Sequence, residues 1–386
     1  MIPTQTTRLP AIEAAGTAHW PGNDEAVRPV HFGEPAGEYR AARETAAVFD
    51  VHDRVQIVAT GGDAVSFLNN FCTAKLGDLA AGQGTEAFFP NIKGRVISHA
   101  FLFRGEQAVY LSADPGQGER LLGHLRKYHL GEDIELVDST GAWGELLVAG
   151  PEAAPRVQAV TGFDAAALPE YGHGETTLDP ALLADDDPLA APEDAAEAGD
   201  DRRRLVVRRV PIVGLPGFLL ASETRWLDRL WPQLAAVAEP AGDEVYEALR
   251  IEAGWPQVGL DITDSHLVHE VARTDRAVSF EKGCYLGQEP IARLDAMGHT
   301  NRELRTLRIE GEQPLEDNDV TLPGEAAGGD SPAETPPVVG QVSSSAAVPG
   351  QGERVALAVV KTKAAAIGTS VVVAGRAGVV QPVGGA

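Results

Sequence analysis

The segments HAFLFR (99–104) and AVYLSA (108–113) are separated by three residues around Gly105. That spacing constrains the chain more than any other feature, because a turn this short joins only antiparallel strands. A parallel partner needs a crossover of a dozen or more residues. Further β-type runs follow the same grammar: VQIVAT (55–60), IELVD (134–138), GELLVAG (144–150), RLVVRRVPI (204–212) and GFLLAS (217–222). Between them stand runs with apolar residues at helical spacing, namely EYRAARETAAVFD (38–50), AVSFLNNF (64–71), GERLLGHLRKYH (118–129), ETRWLDRLWPQLAAVA (223–238) and DEVYEALRIEAG (243–254). Gly61-Gly62-Asp63 reads as the cap of the second of these. Strand pairs closed by short turns, with helices packed on one face, define an α+β class rather than a doubly wound sheet.

After Asn301 the texture changes to short β runs punctuated by Gly and Pro: TLRIEG, VGQVSSS, RVALAVVK and TSVVVAG. This pattern predicts a small antiparallel barrel or sandwich. The chain therefore divides into a first α+β half at 1–140, a second at 141–300 and a C-terminal β unit at 301–386. Two stretches interrupt the pattern. ALLADDDPLAAPEDAAEAGDD (181–201) has no usable apolar face and reads as a solvated insertion, and PGEAAGGDSPAETPP (323–337) reads as a loop.

The chain of 386 residues carries 32 basic and 56 acidic residues, a formal charge of −24. Lysine occurs only at 75, 93, 127, 282, 361 and 363. Such a surface suits a high-salt cytoplasm, where repulsion is screened within about 3 Å at about 1 M salt. It offers no basic footprint for nucleic acid or anionic membrane. No apolar run approaches the roughly 20 residues of a membrane span, and MIPTQTTRLPAIE lacks a signal-type core, so the expectation is a soluble, cytoplasmic protein. Cys72 and Cys284 are the only cysteines. In a reducing cytosol they are expected as free thiols, too few to build a four-cysteine metal or cluster site. His266, His269 and His299 match no metal-ligand spacing with Cys284, so no metal site is assigned.

SFEKGCYLGQEPIAR (279–293) holds one of the two thiols. Val278 and Phe280 alternate up to Gly283, and Pro290 suits the first turn of a helix, so the stretch reads as strand, tight turn, helix. Cys284 then lies near a helix N-terminus, where unpaired N–H groups and the Lys282 ammonium would favour the thiolate. The competing reading is a small buried hydrophobe.

The run Lys282-Gly-Cys-Tyr-Leu-Gly-Gln-Glu289 resembles the signature of the YgfZ proteins. These are folate-binding factors implicated in iron–sulfur enzyme maturation, within the superfamily of the glycine cleavage T-protein, an aminomethyltransferase. EYRAARETAAVFDV, YLSADPGQGERLLGHLRKYHLGEDIELVD, ALRIEAGWPQVGLDI and VGQVSSS carry the resemblance across most of the chain. It implies two ferredoxin-like domains and a β-barrel in a cloverleaf, with tetrahydrofolate or a derivative at the centre and iron–sulfur client or assembly proteins as partners. The alternative within the superfamily is a tetrahydrofolate-dependent aminomethyltransferase or other one-carbon transferase. Against aminomethyl transfer, Ser98 and His99 stand where the T-protein pattern has its aspartate, and Leu215 replaces the glutamate that pairs with pterin N–H groups.

A folate site needs a stacking wall, polar anchors and a cation for the glutamate tail. The residues assigned to it are Arg250 and Glu252 as anchors, Trp255 as wall, Gln288, Glu289 and Arg293 on the helix after the thiol, and Lys93 and Arg95 beside Gly94. Cys284 and Lys282 are the functional thiol and its activator. Each assignment has a structural rival: a surface helical ion pair for Arg250–Glu252, a packing ring for Trp255, an i,i+4 pair for Glu289–Arg293 and a solvated loop for Lys93–Arg95.

Overall fold

The computed structural model describes residues 7–21, 27–179, 203–323 and 336–384. The acidic stretch 181–201 and most of the 323–337 loop lie outside them. Two antiparallel-dominated sheets and a closed barrel account for the strands. In the first sheet the order is Gln83–Pro90, Val96–Arg104, Ala108–Ala113, Val55–Thr60, Glu135–Asp138, with every pairing antiparallel. The expected hairpin is its centre, with Arg104 opposite Val109.

The second sheet runs Glu239–Ala241, Ala47–Asp50, Trp143–Ala149, Gly217–Glu223, Arg204–Val210, His173–Thr177, and only the Glu239–Ala241 pairing is parallel. The strand Ala47–Asp50 thus crosses from the N-terminal part of the chain into this sheet. It also corrects the helical reading of 38–50. The helix Pro35–Glu44 stops at Thr45, and AVFD extends as a strand buried at every position. Apolar spacing suited both periods; pairing with Trp143–Ala149 decided the outcome.

Alternation sorts each sheet into two faces. Ile57 and Ala59 pack with Phe67, Leu68, Leu121 and Leu125 of the helices Ala64–Phe71 and Gly118–Arg126. Leu205 and Val207 pack with Leu227, Leu230 and Trp231 of Thr224–Ala235. The intervening residues face the space between the sheets. The barrel is ordered Arg302–Glu310, Glu353–Lys361, Val338–Val348, Asp319–Thr321, Ser370–Val373, Arg376–Gln381. A third apolar cluster, with Phe49, Phe101, Leu147, Trp255, Leu304 and Leu357, joins barrel and sheets.

The helix Asp243–Glu252 holds the barrel through Arg250 and Glu252. Arg250 is fully buried and engages four of its five N–H groups: Nε and Nη2 donate to Glu247, and Nη1 donates to the Trp255 carbonyl and to Asp261 at 2.9 Å. Asp261 in turn accepts from Ser343 and Ser344 of the barrel, both at 2.6 Å. Replacing Arg250 by Met leaves Asp261 buried without its cation. A loss of about 3–5 kcal/mol is expected, read from urea unfolding midpoints; a loss under 1 kcal/mol would show that the knot is dispensable.

Candidate functional site

The space between the sheets is lined, against the usual preference for apolar cores, by charged residues. Glu86 in TEAFF and Glu145 in GELLVA are lone charges within apolar strands, Arg54 directly precedes VQIVAT, and Arg208 is one of three arginines in RLVVRRV. Glu145 accepts from Arg208 Nη1 at 2.6 Å, Arg54 Nε at 3.1 Å and Ser112 Oγ at 2.7 Å. Arg54 Nη1 donates to Asp114, whose carboxylate also accepts from Trp255 Nε1 at 3.2 Å. Trp255 stacks on Phe101 with centroids 4.8 Å apart, meets His99 at 4.7 Å, and carries the Arg273 guanidinium 4.9 Å from its ring centroid. Arg273 grips Glu86 through two bonds of 2.6 Å. Glu86 also accepts from His99 Nε2 at 2.8 Å and Tyr171 at 3.1 Å. A carboxylate only accepts, so His99 Nε2 carries the hydrogen.

Arg54, Arg208 and Arg273 face Glu86, Asp114 and Glu145, so the buried spine is neutral as a whole. Pairing is what makes these charges tolerable away from water. Burial pushes the Glu86 carboxyl upward, but Arg273 and His99 outweigh it and hold the group well below the ordinary carboxylate range. Burial lowers Arg208 from its ordinary value, and Glu145 offsets this only in part.

The spine runs between two openings. At one, a small cavity of 230 Å³ is lined by Leu215, Arg209, Arg273, Arg276 and Glu170. At the other, a cavity of 820 Å³ is lined by Gln56, Tyr110, Trp143, Arg204 and Arg208. Ser98 is buried and donates to Gln117 at 2.6 Å.

The residues assigned from sequence fall into separate places. Arg250 is a structural knot with no exposed donor, which corrects both its role as ligand anchor and the rival picture of a surface pair. Glu252 accepts from Tyr39 at 2.9 Å and from Arg308 of the barrel at 3.0 Å, bracing the barrel beside a separate surface cavity. Trp255 is a wall, but its faces are taken by protein groups.

Lys93 and Arg95 are exposed on the turn after Pro90, where Arg95 donates to the Asp264 carbonyl at 3.2 Å. That turn meets the helix Gln288–Met297, in which Glu289 and Arg293 are exposed and Gln288 half-buried. No ion pair joins Glu289 and Arg293 among the described residues. A Cβ on Gly287, whose φ is +79°, would lie 2.3 Å from the Asn91 carbonyl, so this contact requires glycine. Arg54, Gln56, Glu86, Glu145, Arg208 and Arg273 were missed; for Glu86 and Glu145 a single charge inside a strand-like apolar run was the available signal.

The signature departs from its expected form in two respects. Residues 278–283 form no strand; Phe280 is 45% exposed, and the segment's backbone bonds are those from Val278 to Thr274 and from Ser279 to Thr73. Lys282 turns inward instead of toward the thiol. Its Nζ donates to the carbonyls of Asn69, Cys72 and Ala74 at 2.5, 2.9 and 2.6 Å, closing the C-terminal end of the helix Ala64–Phe71. Tyr285 is also buried, and Cys284 between them is exposed. Both cysteines are free.

Residues 14–181 match the family model described as the GCVT N-terminal domain. The chain is 26% identical to the aminomethyltransferase of Streptomyces avermitilis over 354 residues, covering 89% of this chain and 85% of that protein. It is 25% identical to the aminomethyltransferase of Rubrobacter xylanophilus, covering 84% and 82%. Its fold is that of the glycine cleavage system aminomethyltransferase T from Bartonella henselae, with a TM-score of 0.76 at 20% identity over 96% of this chain and 94% of that one. The chain is thus similar in sequence to aminomethyltransferases over most of its length, and it shares the fold of one of them. Among the described residues no helix is long and apolar enough to cross a membrane.

Two outcomes test this geometry. Since the Glu86 carboxyl is depressed in the folded state, its contribution is present above the unfolded value of about 4.3 and is lost as pH falls below it. Glu86→Gln should cost about 3–5 kcal/mol at pH 7, because Arg273 loses its partner, and should flatten the acid limb of stability against pH; an unchanged limb would remove Glu86 from this role. In timed iodoacetamide labelling read by mass spectrometry, Cys284 should react while native Cys72 stays protected. Burial closes off Cys72 and pushes its thiol up. Equal rates would contradict the geometry.

Proposed function

We propose that this protein binds tetrahydrofolate and acts on the one-carbon units it carries, as a transferase of the T-protein type. The observation behind this reading is likeness to named aminomethyltransferases over more than four-fifths of both chains, with the same three-part fold. The opening beside Leu215 fits the ligand in part. Arg209 and Arg276 stand there against one carboxylate, Glu170, while Arg273 is already held by Glu86, so one cation is in excess for a glutamate tail. Leu215 supplies no acceptor for pterin N–H groups, and 230 Å³ is less than ligand cavities of about 300–1,000 Å³ provide.

No reaction step is assigned. Ser98 carries no charge, and the buried carboxylates Glu86, Asp114 and Glu145 are each held by arginine. Calorimetry with tetrahydrofolate is expected to give a Kd in the low micromolar range or weaker, about −8 kcal/mol. Arg276→Gln should weaken it several-fold more for polyglutamylated than for monoglutamyl folate. No heat and no thermal shift at millimolar ligand would overturn the reading.

One observation favours a second reading, an accessory role in iron–sulfur cluster assembly or repair. Lys282 and Tyr285 clamp the signature loop so that Cys284 is presented outward, as a thiol that exchanges with a partner must be. Complementation of iron–sulfur enzyme activity in a deletion strain separates the two. The second reading expects Cys284→Ser to abolish it with the fold intact, whereas the first expects Cys284→Ser to retain folate-dependent transfer.

A further inference from the structure

Lysine occurs only six times in the chain, and two of the six, Lys93 and Lys127, line one cavity of 570 Å³ between the Asn91–Arg95 turn and the end of the helix Gly118–Arg126. Three of the others are committed elsewhere. Lys75 pairs with Asp78 at 2.6 Å, Lys282 donates to three carbonyls, and Lys361 donates to the Val338 carbonyl at 2.8 Å. Among the described residues neither Lys93 nor Lys127 has a carboxylate within ion-pair distance.

Arg95 lines the same cavity. Its Nη1 donates to the Asp264 carbonyl at 3.2 Å, while Nε and Nη2 make no bond among the described residues. That leaves open the edge of the guanidinium that forks onto an anion. Lys93, Arg95 and Lys127 are all exposed, so their donors are reachable from solvent.

Charge at this place runs against that of the protein. The one carboxylate on the described lining, Asp264, lies 3.6 Å from Arg120 Nη2, a further cation. His124 adds no charge at neutral pH, because burial and the nearby Lys127 and Arg120 lower its imidazole. Four cations therefore face one carboxylate, on a chain whose formal charge is −24. A concave patch of one sign concentrates the opposite ion.

The turn that carries two of the cations is fixed by the protein itself. Asn91 Oδ1 accepts from the Lys93 and Arg95 amides at 2.8 and 3.2 Å, the Asn91 amide donates to the Arg95 carbonyl at 2.9 Å, and the Val96 amide donates to the His266 carbonyl at 3.0 Å. Binding here requires little ordering of backbone.

The donor set selects the ligand. An ammonium acts on phosphate as a point charge, and a guanidinium edge takes two of its oxygens. The volume lies within the range of about 300–1,000 Å³ typical of small-molecule sites, so a carbon skeleton fits beside the anion, along Ile92 and Ile97 on the lining. A nucleic acid strand longer than the patch would run onto an acidic surface.

We propose that this cavity binds the phosphate monoester of a small organic molecule, its dianion held by the Lys93 and Lys127 ammonium groups and the free edge of Arg95. Lys93 and Arg95 thus meet a different anion from the folate tail assigned to them from sequence. The site shares no lining residue with the cavity beside Leu215 and stands apart from the folate reading.

The probes are ribose 5-phosphate and glycerol 3-phosphate, tested with the full-length protein by phosphorus NMR line width and calorimetry at about 0.1 M salt, where the screening length is about 10 Å. Ribose and succinate are the uncharged and dicarboxylate controls. At least one ester should bind with a Kd of micromolar to low millimolar order, and both controls at least about tenfold more weakly. Lys93→Gln and Lys127→Gln should each weaken binding about threefold and together about tenfold, as for exposed charges, with the melting temperature unchanged. Lys363→Gln removes the same charge from an exposed lysine between barrel strands and should leave binding as in the parent. Absence of binding by both esters at millimolar concentration, equal binding of succinate, full affinity in the double variant, or an equal loss in Lys363→Gln would overturn the site. Flotation of the protein with phosphatidic acid vesicles would overturn its assignment to a small molecule. Displacement of the ester by polyglutamylated folate would overturn its separation from the folate site, whereas a silent folate titration beside a bound ester would count against the folate reading alone.

Discussion

The ion pairing of Glu145 with Arg54 and Arg208 is the constraint on which the two-sheet arrangement depends. A carboxylate on one sheet and a guanidinium beside the other cannot be buried singly, since an isolated charge away from water costs far more than the stability of a domain. They can be buried together only if Trp143–Ala149, Arg204–Val210 and Val55–Thr60 meet in one register. That register also brings Asp114 under the Trp255 indole and, through the Trp255 ring, aligns Arg273 with Glu86. Ordinary apolar packing on the outer faces stabilises the layers without specifying this alignment, because Leu, Val and Ile contacts are non-directional.

The same spine keeps the inter-sheet space from closing. Guanidinium and carboxylate groups hold fixed distances from one another, and paired rows of them cannot collapse as aliphatic side chains do. Two openings remain at the ends, one of 230 Å³ beside Leu215 and one of 820 Å³ over Gln56 and Arg208. In this protein, therefore, the charges that orient the sheets stand between the two cavities.

The signature loop shows a related economy. The Lys282 ammonium donates to three carbonyls at and just beyond the end of the helix Ala64–Phe71, those of Asn69, Cys72 and Ala74. Gly287 and Gly94 then let the Asn91–Arg95 turn and the helix Gln288–Met297 approach closely. Lysine and glycine in KGCYLGQE thus serve to position the loop, and cysteine is the residue that they leave facing outward.

Local pattern alone determined much of this protein. The three-residue spacing between HAFLFR and AVYLSA demanded an antiparallel pair, alternation marked the strands around it, and the change of texture after Asn301 marked the barrel, because these properties depend on neighbours along the chain. Tertiary structure decided what depends on neighbours across space. Whether AVFD continued a helix or became a strand turned on the presence of Trp143–Ala149 to pair with it. Whether Arg250 met ligand or protein turned on Asp261, eleven residues away and itself bonded to barrel serines. The direction in which Lys282 pointed turned on carbonyls more than 200 residues earlier. The charges of the central spine were visible as letters, but their partners lie on other strands, and periodicity along one strand carries no record of what stands opposite.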